Sequence, residues 1–389
     1  MKVFVLAGEL SGDKLGGALL AGLHRLLPDL EVRGVGGPLM QAEGVSSLFP
    51  MDELSVMGIA EVLPKYLDLK KRLNQTAAAV LEWAPDVLIT IDSPDFSLRL
   101  AKLVKARSSI KTIHYVAPSV WAWRPKRAEK MAAHIDHVLA LLPFEPPLMK
   151  AAGMGCDFVG HPIVAEPIAT DEEVRIFRQA EAIGDAPMLL VLPGSRRSEV
   201  ARLSSVFGAA MEPVLAAHPD ARIVVPAASA VAGLVKEAAG SWPGKPIVLD
   251  PSEGLDPVGR KRAAFRAADV ALAASGTVSL ELAANRTPMV VAYDMNWLTW
   301  QIMSRLAVID TVTLVNLVSG EKAVPEFLGP ACQAQDIGRA LLPLLTNASA
   351  RERQVAAMEL TMDRLGRGGE PPGLRAAKAV IRVVDDRAS

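Results

Sequence analysis

Short apolar runs alternate with helical stretches from one end of the chain to the other, and this rhythm restricts the fold more than any other feature. Residues 2–7, 30–35, 87–91, 112–116 and 137–142 read as strands. Each is followed by a turn rich in Gly, Pro, Asp or Ser and then by a helical pattern, the first over 14–27. Strands that are apolar throughout, rather than alternating, are buried on both faces, so the pattern predicts βαβ units and a parallel sheet covered by helices. Gly160-His161-Pro162 breaks the rhythm, and Pro167 with Thr170-Asp171-Glu172-Glu173 leads through a linker into a helix. Strand-like runs then resume at 188–192, 222–225, 247–249, 270–273 and 289–292. From about residue 335 the chain is helical, with a break at 366–372 and a last helix over 373–384. The expected organisation is α/β: two doubly wound halves, 1–165 and 166–345, then C-terminal helices over 346–389. Ligands of such folds sit at the carboxyl ends of the strands, and in a two-half chain also between the halves.

Charge excludes one class of partner. The 42 basic and 43 acidic residues leave a net charge of −1, so a global nucleic-acid binder is ruled out. Cys156 and Cys332 stand far apart and form no disulfide framework or zinc knuckle, which points to a reducing compartment. The longest uncharged run, 223–235, has 13 residues and contains Pro226. A membrane-spanning helix needs ~20 apolar residues. The apolar N-terminus meets Gly8-Glu9 too soon for a signal peptide, so the expected location is the cytoplasm.

Four strand ends carry the polar residues from which chemistry could be built. After the first strand come Gly8, Glu9, Leu10, Ser11, Gly12 and Asp13, which match neither a Walker A loop nor G-x-G-x-x-G. Spacing alone leaves two readings there, an anion or substrate site and helix capping by Ser11 or Asp13. Asp92-Ser93-Pro94-Asp95-Phe96 follows the third strand. Asp95 there is either a helix cap or a general base that takes a proton from an attacking hydroxyl. In the second half, Gly194, Ser195 and Arg196 join a strand to a helix and suit a phosphate. Ser275, Gly276 and Thr277 do so again, with Glu281 one helical turn further, where a carboxylate suits ribose hydroxyls. Capping accounts for each motif taken alone, whereas two such loops together favour a nucleotide site.

No Asp-x-Asp pair occurs, so a leaving diphosphate is expected to be stabilised by Arg and helix dipoles, with no metal and no cofactor. His134 and His137 lack matching ligands and read as structural. Residues 65–130 hold 13 basic and 6 acidic side chains and include Trp121-Ala122-Trp123-Arg124-Pro125-Lys126-Arg127. That stretch fits an anionic membrane surface or a solvated face over core tryptophans. Trp297 and Trp300, between Met295 and Met303, are core or an acyl-chain surface.

Taken in order, Gly8 to Asp13, Ser55-Val56-Met57-Gly58, Ile91 to Phe96, Pro118-Ser119-Val120-Trp121-Ala122-Trp123, Phe144-Glu145, Gly160-His161-Pro162, Leu192 to Arg196, Ala274 to Glu281 and Val324-Pro325-Glu326-Phe327 closely resemble the lipid-A-disaccharide synthase family over about residues 3–345. The resemblance implies a GT-B type glycosyltransferase with two Rossmann-like domains facing a cleft. The N-terminal domain would take the acceptor, 2,3-diacylglucosamine 1-phosphate (lipid X), and face the inner membrane; the C-terminal domain would take UDP-2,3-diacylglucosamine. The products would be the β(1→6) disaccharide 1-phosphate and UDP, with inversion. By the same resemblance Asp95 is the general base, and Glu9, Ser11, Asp13, Ser55, Met57 and Gly58 lie on the acceptor side. Gly194, Ser195, Arg196, Ser275, Gly276, Thr277, Glu281 and Asn316 would hold UDP. Residues 54–59, with the helix up to Tyr66, are the expected acyl-chain surface. Family members are peripheral inner-membrane proteins, which gives the basic segment a purpose, and a homodimer is compatible with the resemblance. Two rivals share some of these features. Another GT-B UDP-sugar enzyme, a 2-epimerase or the peptidoglycan N-acetylglucosaminyltransferase, would share the donor loops but not the motifs at 55–58 and 121–123. A nucleotide- or lipid-binding module would lack turnover.

Overall fold

The computed structural model describes residues 1–54, 59–122, 126–306 and 308–386. They divide into two compact units, Met1–Ala165 with Leu365–Ser389, and Glu166–Arg364. Each unit is built on one six-stranded parallel sheet. In the first, β1 (Lys2–Ala7), β2 (Glu31–Val35), β3 (Val87–Ile91), β4 (Lys111–Tyr115), β5 (His137–Ala140) and β6 (Gly155–Phe158) lie in the order β2-β1-β3-β4-β5-β6. In the second, β7 (Met188–Leu192), β8 (Arg222–Pro226), β9 (Ile247–Leu249), β10 (Val270–Ala274), β11 (Met289–Tyr293) and β12 (Glu326–Leu328) lie in the order β12-β11-β10-β7-β8-β9. Strand order therefore reverses between β1 and β3 and between β7 and β10. Connections leave a reversal point in opposite directions, which opens a crevice at the carboxyl ends of the two strands.

Helices of the first unit are α1 (Leu10–Leu26), α2 (Pro38–Ala42), α3 (Ile59–Trp83), α4 (Pro94–Lys105), α5 (Lys126–Ala132) and α6 (Glu145–Ala151). The second unit adds α7 (Asp171–Ala180), α8 (Arg197–Ala217), α9 (Ala232–Ala239), α10 (Pro257–Ala267), α11 (Val278–Ala284), α12 (Trp297–Leu306), α13 (Leu314–Ser319), α14 (Ala334–Thr346) and α15 (Ala348–Arg364). The last helix, α16 (Pro372–Asp385), returns to the first unit and packs on α1.

The central strands show why the apolar runs were readable. All five residues of β3, β7 and β10 are buried. Thr90 is the polar exception in β3, and its Oγ1 lies 2.8 Å from His114 Nδ1 on β4. The edge strands β6 and β12 escape the apolar-run reading, because Gly-Cys-Asp-Phe and Glu-Phe-Leu are short and largely half-buried. Helix α1 begins at Leu10, so Ser11, Gly12 and Asp13 belong to its first turn and not to a loop reaching to residue 14. Among the described residues one helix, Arg197–Ala217, is long and apolar enough to cross a membrane. Val200, Leu203, Phe207, Ala210, Met211 and Val214 of that helix are buried in the core of the second unit.

The C-terminal helices serve different units. Gln354 of α15 brackets Met289 at the start of β11: its Oε1 accepts from the Met289 amide (2.8 Å) and its Nε2 donates to the Met289 carbonyl (3.0 Å). Helix α16 instead fits α1 through small residues. A Cβ at Gly373 would stand 2.4 Å from the Ala18 carbonyl oxygen, and one at Gly22 would stand 2.8 Å from the Gly373 carbonyl oxygen. Backbone cannot move aside as a flexible side chain can, so Gly373→Ala is expected to cost about 1–3 kcal/mol of stability by overpacking. Denaturant midpoints of the two proteins check this, and an unchanged midpoint would mean that α16 docks less closely.

Candidate active site

In the first unit the reversal point brings together the ends of β1 and β3. Gly8 follows β1, and a Cβ there would lie 2.6 Å from Ser93 Oγ. Asp92 and Ser93, at the end of β3, both have left-handed backbones, with φ of 51° and 44°. Val116, at the end of β4, has φ of 85°. Such conformations cost of order 1–3 kcal/mol each and persist only where surrounding contacts fix them. The Asp92 amide donates to the Tyr115 carbonyl (3.0 Å), and Ser97 Oγ donates to the Asp92 carbonyl (2.8 Å). The Asp92 carboxylate accepts from the Ser93 amide at 2.9 Å, yet burial still raises its pKa above the usual range. Ser93 Oγ is itself buried without a hydrogen-bond partner.

The other acceptor-side residues fall in different places. Asp95 neither caps α4 nor is buried: Ser93 is the N-cap, and the Asp95 side chain is 97% exposed, 3.7 Å from Arg127 Nη2. Glu9 is the half-buried N-cap of α1, and Ser11 is exposed on its first turn. Asp13 is buried and faces α2. Its carboxylate accepts from the amides of Gly37 (2.9 Å), Leu39 (3.0 Å) and Met40 (3.0 Å). It therefore caps a helix, but α2 and not its own. Ser55, Met57 and Gly58 lie outside the described residues, as do Trp123 and Arg124.

Two loops flank the reversal point of the second unit. Gly194, with φ of 113°, turns the chain from β7 into α8. A Cβ there would meet Glu199 Oε2 at 2.6 Å. Glu199 Oε2 accepts from the amides of Ser195 (3.1 Å) and Arg196 (3.3 Å), and Oε1 accepts from Arg196 Nη1 (2.9 Å). The backbone amides expected to face a phosphate thus bind an internal carboxylate, while the Arg196 side chain stays 59% exposed. After β10, Ser275 is half-buried, and Gly276 and Thr277 are exposed at the start of α11. The first amides of a helix lack intrahelical acceptors. Glu281 pairs with Lys261 Nζ at 2.7 Å. Asn316 is buried, and its amide is fully engaged inside the unit. It donates to Thr311 Oγ1 (3.1 Å) and the Val324 carbonyl (2.9 Å), and accepts from the Val324 amide (2.9 Å). Any bearing of Asn316 on a ligand passes through the backbone it holds.

The sequence assigns no role to Glu199 or Glu145, and it leaves Asp92 behind Asp95 as a candidate base. The capping-box position of Glu199, three residues after the N-cap Arg196, was the available signal for one of them. Glu145 opens α6 and is buried. It accepts from Trp121 Nε1 (3.2 Å) and from the amides of Leu141 (3.2 Å) and Leu142 (2.9 Å). The Trp121 ring stands edge-on to Phe144, 5.4 Å away. Glu145 thereby pins the loop that leaves β4. Burial outweighs these donors and pushes the Glu145 carboxyl from 4.5 up to about 7. An acid whose pKa is higher folded than unfolded binds more protons when folded, so stability falls as pH rises from about 4.5 to 7. The fall is of order 3 kcal/mol at most. Glu145→Gln should flatten that slope in unfolding curves taken across the range. An undiminished slope would assign it to other groups.

Comparison with known proteins identifies the family. A family model described as Lipid-A-disaccharide synthetase matches residues 3–370. A lipid-A-disaccharide synthase of Ruegeria pomeroyi is 62% identical over 384 residues, covering 98% of this chain and 95% of the relative. One of Rhodospirillum centenum is 45% identical over 388 residues, covering 99% and 95%. Among solved structures, the UDP-GlcNAc 2-epimerase of Neisseria meningitidis bound to UDP-GlcNAc superposes with a TM-score of 0.65 at 11% identity, over 99% of this chain and all of that one. The Methanocaldococcus jannaschii UDP-GlcNAc 2-epimerase, in complex with UDP-GlcNAc and UDP, gives 0.59 at 13% identity over 99% and 100%. These structural likenesses establish the GT-B fold and nothing finer. The sequence relatives and the full-length family match establish more: the chain belongs to the lipid-A-disaccharide synthetase family, and it is a glycosyltransferase of lipid A biosynthesis.

Proposed function

We propose that this enzyme joins UDP-2,3-diacylglucosamine to 2,3-diacylglucosamine 1-phosphate, giving the β(1→6) disaccharide 1-phosphate and UDP with inversion. The observation that carries the reading is the family match over residues 3–370. The acceptor 6-hydroxyl attacks the anomeric carbon while the bond to the diphosphate breaks. The Arg196 guanidinium and the amides that open α11 stabilise the charge that grows on UDP. Glu281 is the proposed ribose contact, and Asn316 acts by holding the 311–324 backbone. On the acceptor side Glu9 and Ser11 edge the site, and Asp13 shapes the turn at 37–40.

A general base works best with a pKa near the operating pH. Burial raises the pKa of Asp92 toward that range, and its half-buried carboxylate stands at the reversal point, whereas the Asp95 side chain points into solvent. We therefore place proton removal on Asp92. Incubation with the two substrates should yield UDP and disaccharide phosphate in equal amounts. Asp92→Asn should lower kcat by ~10²–10⁴-fold and leave UDP binding intact, whereas Asp95→Asn should retain most activity. The opposite ranking would return the role of base to Asp95, and absence of both products with active relatives as controls would reject the reading.

Peripheral attachment to an anionic inner-membrane surface on the cytoplasmic side completes the proposal. Tyr66 and Leu67 of α3 are exposed, at 48% and 77%, within the basic segment 65–130. Arg72 and Lys105 of that segment are paired, with Glu53 and Asp136, so its effective charge is smaller than its composition suggests. Co-sedimentation with anionic vesicles should fall as salt rises. Equal binding to neutral vesicles at low salt would argue against electrostatic attachment.

A further inference from the structure

Glu199 has a more complete set of partners than its place beside an anion-binding loop would suggest. Its side chain is 9% exposed. It accepts from the amides of Ser195 and Arg196 and from the Arg196 guanidinium. A carboxylate offers about four lone-pair sites, and these three donors occupy most of them. The loop after β7 and the first turn of α8 are thus fastened to one side chain. The pKa of Tyr293 rises through burial first and the charge of Glu199 next. A diphosphate cannot use the Ser195 and Arg196 amides while Glu199 holds them. The Arg196 guanidinium uses one N–H on Glu199, and a guanidinium carries five.

We propose that Glu199 is a positioning residue for donor binding: it closes the loop amides and sets the direction of Arg196, so that the guanidinium, rather than the loop backbone, meets the nucleoside diphosphate. The inference rests on the donor-site reading given under Proposed function. The competing arrangement makes Glu199 a placeholder that leaves when the diphosphate arrives. The two differ in sign. A positioning carboxylate strengthens donor binding, whereas a placeholder competes with it.

Glu199→Gln separates them, because the amide has nearly the same shape and can still accept from the loop backbone, but cannot carry the charge that orients Arg196. UDP is titrated into the full-length wild type, Glu199→Gln, Arg196→Ala and the double variant, and donor KM and kcat are measured for each. The expected result is roughly tenfold weaker UDP binding in Glu199→Gln, with the loss in donor KM more than in kcat. Arg196→Ala should lose roughly 10–100-fold, and the double variant should be no weaker than Arg196→Ala, since Glu199 acts through Arg196. Glu199→Asp keeps the charge but draws it back from the loop amides and from Arg196. It should weaken UDP in the same direction by a smaller factor, which keeps the test available should Glu199→Gln fold poorly. Tighter or unchanged UDP binding in Glu199→Gln, or losses that add in the double variant, overturns the inference. Unchanged UDP affinity in Arg196→Ala overturns the donor-site reading itself, and the inference with it.

Discussion

A parallel sheet with helices on both faces leaves its strands almost no surface except their ends. In this chain that constraint acts twice, on β3 and β1 in one unit and on β7 and β10 in the other, where the strands are buried nearly throughout. Polar chemistry can then be presented only where the chain leaves a strand. The reversal of strand order between β1 and β3, and between β7 and β10, decides which of those exits open onto a crevice. Asp92, Arg196 and the Ser275–Thr277 turn, three parts of the proposed site, lie just beyond these strands.

Strand ends at such points must bring main-chain amides into partly buried loops, and unpaired buried amides cost about 1–3 kcal/mol each. The fold answers with internal carboxylates. Asp13 satisfies three amides around α2, Glu145 satisfies two and an indole, and Glu199 satisfies two together with a guanidinium. Each of these acids is nearly closed to solvent and has its acceptor capacity largely used. Asp92 differs: among the described residues its carboxylate bonds to the neighbouring Ser93 amide alone, and burial raises its pKa. Three of these acids hold backbone, and the fourth is the one proposed as the base.

The strained backbone belongs to the same picture. Asp92, Ser93 and Val116 occupy left-handed conformations at adjacent strand ends. Around them, the Asp92 amide is tied to Tyr115, and the loop beyond Val116 is tied through Trp121 to Glu145. Rigid surroundings are what allow such conformations to persist. They also hold the Asp92 side chain at the mouth of the sheet rather than along a helix.

Local sequence determined a great deal. Burial on both faces removes the need for polar alternation, so the central strands could be recognised from their apolar runs alone, and the Gly- and Ser-rich turns after them marked where those strands end. The family motifs identified the family. Short edge strands such as β6 and β12 carried too few apolar residues to be seen. The burial and partners of each acid were decided only by the tertiary structure, because they come from residues distant in the chain. Asp92 and Asp95 are three residues apart and alike in sequence, yet one is enclosed by β4 and Ser93 while the other stands in solvent. Asp13 is shut away by a turn 24 to 27 residues later. Helix α16 finds α1 through glycine and alanine, whose lack of bulk gives a periodic pattern no address until the two backbones approach. A side chain's identity is local, but its dielectric surroundings and partners are set by the whole chain, and on those its chemistry depends.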